Sequence, residues 1–141
     1  KYGIIAHRGN CENVIKNVPD NLKSDFIRGV VDADGSFSYY TIMQNKHVCN
    51  KYSFQICGSE SLLRYIEQVF IDNDLIDDIK RKLYKRHKEE NRDLNCLTLR
   101  LSGKHNVIDI LDFLYKDSHI YLDRKFDKYL MLRKGCELGE V

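Results

Sequence analysis

Two carboxylates, Asp32 and Asp34, close a segment that reads Phe26-Ile27-Arg28-Gly29-Val30-Val31-Asp32-Ala33-Asp34-Gly35-Ser36-Phe37. Leu22, Phe26, Ile27, Val30 and Val31 recur at helical spacing, which puts the segment on a helix starting near Asn21, capped by Asn21 or Ser24 and ended by Gly35. Carboxylates in the last turn of a helix face the negative end of its dipole, at a cost of about 0.3 to 1 kcal/mol each. Two kinds of partner can offset that cost. A hydroxyl or backbone amide would make the Asp a local cap before Gly35. A hard divalent cation is the better offset, because Mg²⁺ is typically held by one or two carboxylates together with phosphate oxygens of a substrate. An EF-hand loop is excluded: with Gly35 in the sixth place, Val30 and Thr41 would fall where the first and last acidic ligands are required. Gly29 and Ala33, four residues apart on one helix face, would let another helix approach closely.

The rest of the chain must position these groups. Its 141 residues, 43% of them hydrophobic, suffice for one domain with a real core and not for two. No apolar run of membrane-spanning length, signal-peptide pattern or low-complexity tract occurs, so an intracellular protein without a membrane partner is expected. The five cysteines, Cys11, Cys49, Cys57, Cys96 and Cys136, are odd in number and form no CxxC pair, which argues against a disulfide framework or a zinc site. A net charge of +2 is compatible with nucleic acid without arguing for it. The cations cluster at Lys80 to Lys88 and again from Arg124 to Lys134, which an ordinary protein would also show as solvated faces.

Pro19 separates a lead-in, residues 1–22, read as a leader or interdomain linker, from a single domain over residues 23–141. After Gly35 the pattern turns to β: residues 36–44 form one strand, Tyr52, Phe54 and Ile56 alternate in a second, and Asn45 to Asn50 join them. A helix follows, capped by Ser59 or Ser61, with Leu62, Leu63, Ile66, Val69 and Phe70 facing inward. Residues 81–88 read as a charged strand, the polar loop Glu89 to Asp93 as its turn, and Leu97, Leu99 and Leu101 as the strand after it. An amphipathic helix follows Gly103, and Ile120 to Leu132 make the last one. The order α-β-β-α-β-β-α-α predicts an α+β fold, a four-stranded antiparallel sheet with helices on one face and the other face uncovered. By alternation the uncovered face carries Ser38, Tyr40, Gln44, Lys51, Ser53, Gln55, Thr98 and Arg100, donors, acceptors and cations suited to base edges and phosphates.

The nonapeptide Ile27 to Gly35 resembles the defining motif of the LAGLIDADG homing endonucleases, with Arg28 standing where that family usually has a small residue. Ser36-Phe37, the hairpin after it, Leu114-Tyr115 and Ile120-Tyr121-Leu122-Asp123-Arg124-Lys125-Phe126 resemble its later landmarks, so the likeness covers most of residues 22–132. The resemblance implies hydrolysis of phosphodiester bonds in duplex DNA with Mg²⁺ or Mn²⁺, as expected of an intron-encoded or intein-associated nuclease. It implies Asp34 as metal ligand assisted by the Ala33 carbonyl, and Gly29, Ala33 and Asp32 at the interface of two motif helices. Lys125, beside Arg124, would stabilise charge or position water at the cleavage site; the ordinary reading is a surface lysine on an amphipathic helix. Gly58 falls where the family often has a polar side chain at the end of the second strand, so Gln55 or Ser59 would have to substitute. The sheet face together with Lys46, Arg81, Lys85 and Arg86 would contact DNA. One motif makes half an active site, which implies a homodimer or a second LAGLIDADG domain. The stretch from Lys1 to Pro19 resembles the segment preceding the second motif of two-motif members. The alternative is a non-cutting DNA- or RNA-binding module of the same fold, such as a maturase or degenerate regulator.

Overall fold

The computed structural model describes residues 12–85 and 96–137. A short helix, α1 (Glu12–Ile15), and a 3-10 turn (Asp20–Leu22) lead into α2 (Lys23–Asp34). There follow β1 (Gly35–Gln44), β2 (His47–Gly58), α3 (Glu60–Asp72), β3 (Tyr84–Lys85), β4 (Leu97–Ser102), α4 (Lys104–Tyr115) and α5 (Asp123–Glu137). The strands form one antiparallel sheet in the order β1-β2-β4-β3.

Alternation along the strands makes the core one-sided. Phe37 pairs with Phe54, Phe54 with Leu101 and Ile56 with Leu99, and all five side chains are buried. Ile27 and Val31 of α2, Leu63, Ile66 and Phe70 of α3, and Ile110, Leu111 and Leu114 of α4 close over them. The expected architecture, helices on one face and, among the described residues, none on the other, is therefore present.

Several local expectations need correction. The lead-in is not irregular over residues 12–22: it is partly helical, α1 lies against α3, and Ile15 packs on the core. Neither Asn21 nor Ser24 caps α2; the 3-10 turn feeds it through Leu22, with no side-chain cap. Ser59, by contrast, does cap α3, its hydroxyl accepting from the Leu62 N–H at 3.4 Å. The loop expected at Asn45 to Asn50 shrinks to Asn45 and Lys46, both with positive φ (51° and 66°), because pairing continues through Gln44 and His47. This is the two-residue hairpin geometry whose twist matches its strands.

Of the charged strand expected at 81–88, only Tyr84–Lys85 pairs; Arg86 and the Glu89 to Asp93 loop lie outside the described residues. Buried Glu67 sets that approach, accepting from the Arg81 N–H at 2.9 Å and from Arg64 at 2.6 Å. The last helix begins at Asp123 rather than Ile120, leaving Ile120 82% exposed. Among the described residues no helix is long and apolar enough to cross a membrane.

Candidate active site and nucleic-acid interface

The site is built where α2 runs straight into β1. The Gly35 N–H donates to the Val31 carbonyl, and its backbone is extended (φ −89°, ψ 162°), so left-handed freedom is not what glycine supplies here. It supplies room: a Cβ would stand 2.7 Å from Val31 O and 2.8 Å from Val31 Cα. The chain can thus leave the helix within one residue, with Asp34 exposed at the junction.

Asp32 goes the other way. It is buried, accepting from the Tyr115 hydroxyl at 2.6 Å and from the Leu122 N–H at 3.0 Å. It lines the same hollow as Gly29 and Ala33, but its carboxylate is engaged within the chain. Its carboxylate ties α2 to the end of α4 and the start of α5. Arg28, one turn earlier on the same stripe, works alongside it. Its Nε donates to the Ile120 carbonyl at 2.7 Å, Nη1 to the Leu114 carbonyl at 3.0 Å, and Nη2 bonds Asp25 at 2.6 Å. The motif's one strong departure is thus a clamp on the α4–α5 connection. Sequence reasoning missed this role, although an arginine flanked by carboxylates at helical spacing, Asp25 and Asp32, was a signal for it.

Lys125 is buried, not a surface lysine, in the first turn of α5. Its Nζ donates to the Gly35 carbonyl and lies 5.7 Å from the centroid of the Phe37 ring. Burial first, then the neighbouring Arg124, holds its pKa below the ordinary lysine value, while Asp32 and Asp34 pull the other way. The fold therefore brings this cation to the residue that follows Asp34.

The uncovered face starts at the same junction. Ser36 stands opposite Gln55 and Gln55 opposite Arg100, a row across three strands beginning two residues after Asp34. Of the candidates for the missing polar group at the end of β2, Ser59 is engaged as a helix cap and Gly58 pairs away from β1 with Leu97. Gln55 is left, on the open face. Ser38, Tyr40, Gln44, Lys51, Ser53 and Arg100 share that face by register, and the Ser38 and Ser53 hydroxyls meet at 3.2 Å. Thr98 has the same register but is buried, its hydroxyl 3.4 Å from Cys57 Sγ, which removes it from the predicted contacts. The chain has 21 Asp and Glu residues, yet among the described residues not one lies in the four strands. Chance alone makes so clean a segregation uncommon, and it leaves the face free of like-charge repulsion toward a polyanion.

Solved structures with the same arrangement include several homing endonucleases. I-LtrWI, a LAGLIDADG homing endonuclease bound to target DNA, superposes with a TM-score of 0.60 at 20% identity, over 82% of this chain and 36% of its own. The homing endonuclease I-TnaI gives 0.58 at 18% identity, over 84% of this chain and 74% of its own. The archaeal intron-encoded I-Vdi141I, complexed with DNA, gives 0.59 at 21%, over 86% and 73%. This chain has the LAGLIDADG homing-endonuclease fold. It spans little more than a third of I-LtrWI and about three quarters of the other two. No protein-family model matches the sequence, and no curated protein matches it.

Within the LAGLIDADG fold the remaining predicted contacts separate. Lys46 is exposed at the hairpin tip. Arg81 does not join the open face: its guanidinium donates to the Asp77 and Ile79 carbonyls. Lys85 pairs with Leu97, whose neighbours in alternation face the core, so it stands on the helix side of the edge strand. Among the described residues no three His, Cys, Asp or Glu side chains gather into a metal site. Asp34 nevertheless fits a hard cation in part. It offers an exposed carboxylate, and the adjoining Ala33 carbonyl lies in the last helical turn, where carbonyls lack intrahelical partners. Further oxygen ligands would have to come from outside the chain.

Proposed function

We propose that this chain is a DNA-binding and DNA-cutting domain that supplies half of an active site for phosphodiester hydrolysis. One observation carries the reading: an exposed carboxylate, Asp34, stands where the open Gly29-Ala33 face of α2 meets a sheet face free of acidic residues. The sheet has the form of a β-structure that the major groove, roughly 12 Å wide, can admit. Ser38, Tyr40, Gln44, Lys51, Ser53, Gln55 and Arg100 would meet base edges and phosphates, with Lys46 at the hairpin tip. Asp34 and the Ala33 carbonyl would hold Mg²⁺ or Mn²⁺, which when bound supplies Lewis-acid stabilisation of charge developing on the phosphate. Asp34 would hold that cation through its exposed carboxylate at the end of α2. Gln55, opposite Ser36 on the open face, would present an amide to a water or phosphate oxygen. Lys125 keeps the Gly35 carbonyl occupied, fixes the α2–β1 junction and sets a positive charge behind the site. The second carboxylate would come from another copy of the chain or another domain of the same fold, packed on Gly29 and Ala33.

The test is selection of bound and cut sequences from a randomised duplex pool in Mg²⁺, for the wild type and for Asp34→Asn. The wild type is expected to bind and cut. The variant should bind within a few fold of it and cut roughly a thousandfold more slowly, since a Lewis acid contributes several kcal/mol at the transition state. An Asp34→Asn protein that cuts at the wild-type rate would overturn the assignment of Asp34, and a wild type that binds without cutting would leave a recognition module.

A further inference from the structure

Most arginines among the described residues are engaged by the fold. Arg28 and Arg81 serve backbone carbonyls, Arg64 bonds Glu67, and Arg133 pairs with Asp112 and Glu137. Arg100 differs. It is exposed on the open sheet face, and its guanidinium carbon lies over the Tyr84 ring, 4.8 Å from the centroid.

The register explains the contact. Tyr84 on edge strand β3 stands opposite Thr98, so Arg100 is its diagonal neighbour on the same face. A cation over a ring face is held by the ring quadrupole, which uses none of the guanidinium N–H donors. The side chain is therefore steadied while its five-donor fork stays available. Lys82, with Nζ 5.7 Å from the same centroid, adds a second cation beside the ring.

Position narrows what the fork would meet. β4 is an interior strand, flanked by β2 and β3, so on a sheet seated in the major groove it faces base edges, with phosphates toward the rims. Arg100 is also the third member of the row that begins at Ser36. At about 4.8 Å per strand it lies on the order of 10 Å from Ser36, and so close to the Asp34 end of the face. The bidentate partner of an arginine fork in the major groove is guanine, through O6 and N7.

We infer that Arg100 determines specificity by reading a guanine near the cleavage position, and that Tyr84 is the positioning residue that holds it there. The inference rests on the DNA-binding reading above and names a base contact within it. The probe is the randomised duplex pool, with bound sequences compared for the wild type, Arg100→Met, Tyr84→Phe and Tyr84→Leu, each checked for an unchanged melting curve. The wild type should prefer guanine by roughly ten- to a hundredfold at one position, or at its symmetry copy too if a dimer binds. Arg100→Met should erase that preference and leave the other positions unaltered. Tyr84→Phe keeps the ring and should keep the preference, whereas Tyr84→Leu should reduce it severalfold. If Arg100→Met instead weakens all sequences equally and lowers the log–log salt slope by about 0.9, Arg100 contacts a phosphate and the inference fails. A guanine preference unchanged in Tyr84→Leu overturns the positioning role. Wild-type protein that retains no duplex at low salt overturns the DNA-binding reading itself.

Discussion

Asp32 and Asp34 are two residues apart, hence about 200° apart around α2, and they meet opposite surroundings. Asp34 faces solvent at the junction, while Asp32 is enclosed by Tyr115 and Leu122. The phenols in this part of the core make stability pH-dependent. Burial first, then the bond to Asp112, pushes the Tyr129 pKa up to about 12; burial and the bond to Asp32 raise Tyr115 further. A group whose folded pKa is raised contributes stability that is complete below the unfolded value, about 10, and lost as pH climbs through the folded value. For Tyr129 that window is roughly pH 10 to 12. Lys125 acts in the opposite sense: its depressed pKa makes the charged form costly in the fold, a cost relieved as pH rises toward 10.5. Two tyrosines outweigh one lysine, so urea unfolding should show stability falling steeply above pH 10. Tyr129→Phe should lose about 1 kcal/mol at pH 8 and show a shallower fall above pH 10. A Tyr129→Phe slope identical to wild type would contradict this account. Asp34 was singled out by the resemblance of its motif, whereas the shared exposed face of Gly29 and Ala33 was legible from their spacing. The duties of Arg28 and Asp32 were not, because their partners lie about ninety residues away, at Ile120 and Leu122.

Elements with a strong apolar period were legible for a similar reason: Leu97, Leu99 and Leu101, or Leu63, Ile66 and Phe70, have one way to reach a shared core. The errors fall where tertiary contacts override a weak local pattern. His47 to Asn50 carries little alternation, yet β2 includes it because β1 offers a full ladder of partners. Ile120 carries a helical period, yet the backbone there is taken by Arg28 and the next N–H but one by Asp32, so α5 starts later. The hairpin tip yields a prediction at this scale. Lys46 has φ +66°, a conformation that costs an ordinary residue roughly 1 kcal/mol and a glycine almost nothing. Lys46→Gly should therefore raise unfolding stability by about 1 kcal/mol. If the lysine is retained for a phosphate, the same variant should bind duplex DNA more weakly at low salt, with a log–log salt slope smaller by about 0.9. A stabilised variant with unaltered salt dependence would remove Lys46 from the contacts while leaving the turn argument intact.

At the scale of the whole molecule, the open question is what lies against the outer face of α2. Asp25, Gly29 and Ala33 are exposed there, and Ile120 and Leu122 add apolar surface beside them. A Cβ added at Gly29 would have nothing within 4 Å, so no contact inside the chain requires glycine at that position. Glycine in a helix interior is about 1 kcal/mol worse than alanine, and its retention without an internal reason points outward, to another helix that must come close. Two substitutions separate the causes. Gly29→Ala should stabilise the isolated chain toward urea by about 1 kcal/mol, because only helix propensity is at stake within it. Gly29→Glu should fold equally well but prevent close approach, converting a sedimenting dimer at micromolar concentration into monomer and abolishing double-strand cleavage. A wild-type monomer that nevertheless cuts both strands would refute the half-site reading. An inactive wild-type monomer, restored to cutting by a second LAGLIDADG domain supplied in trans, would show that the Gly29 face is made for a different partner than its own copy.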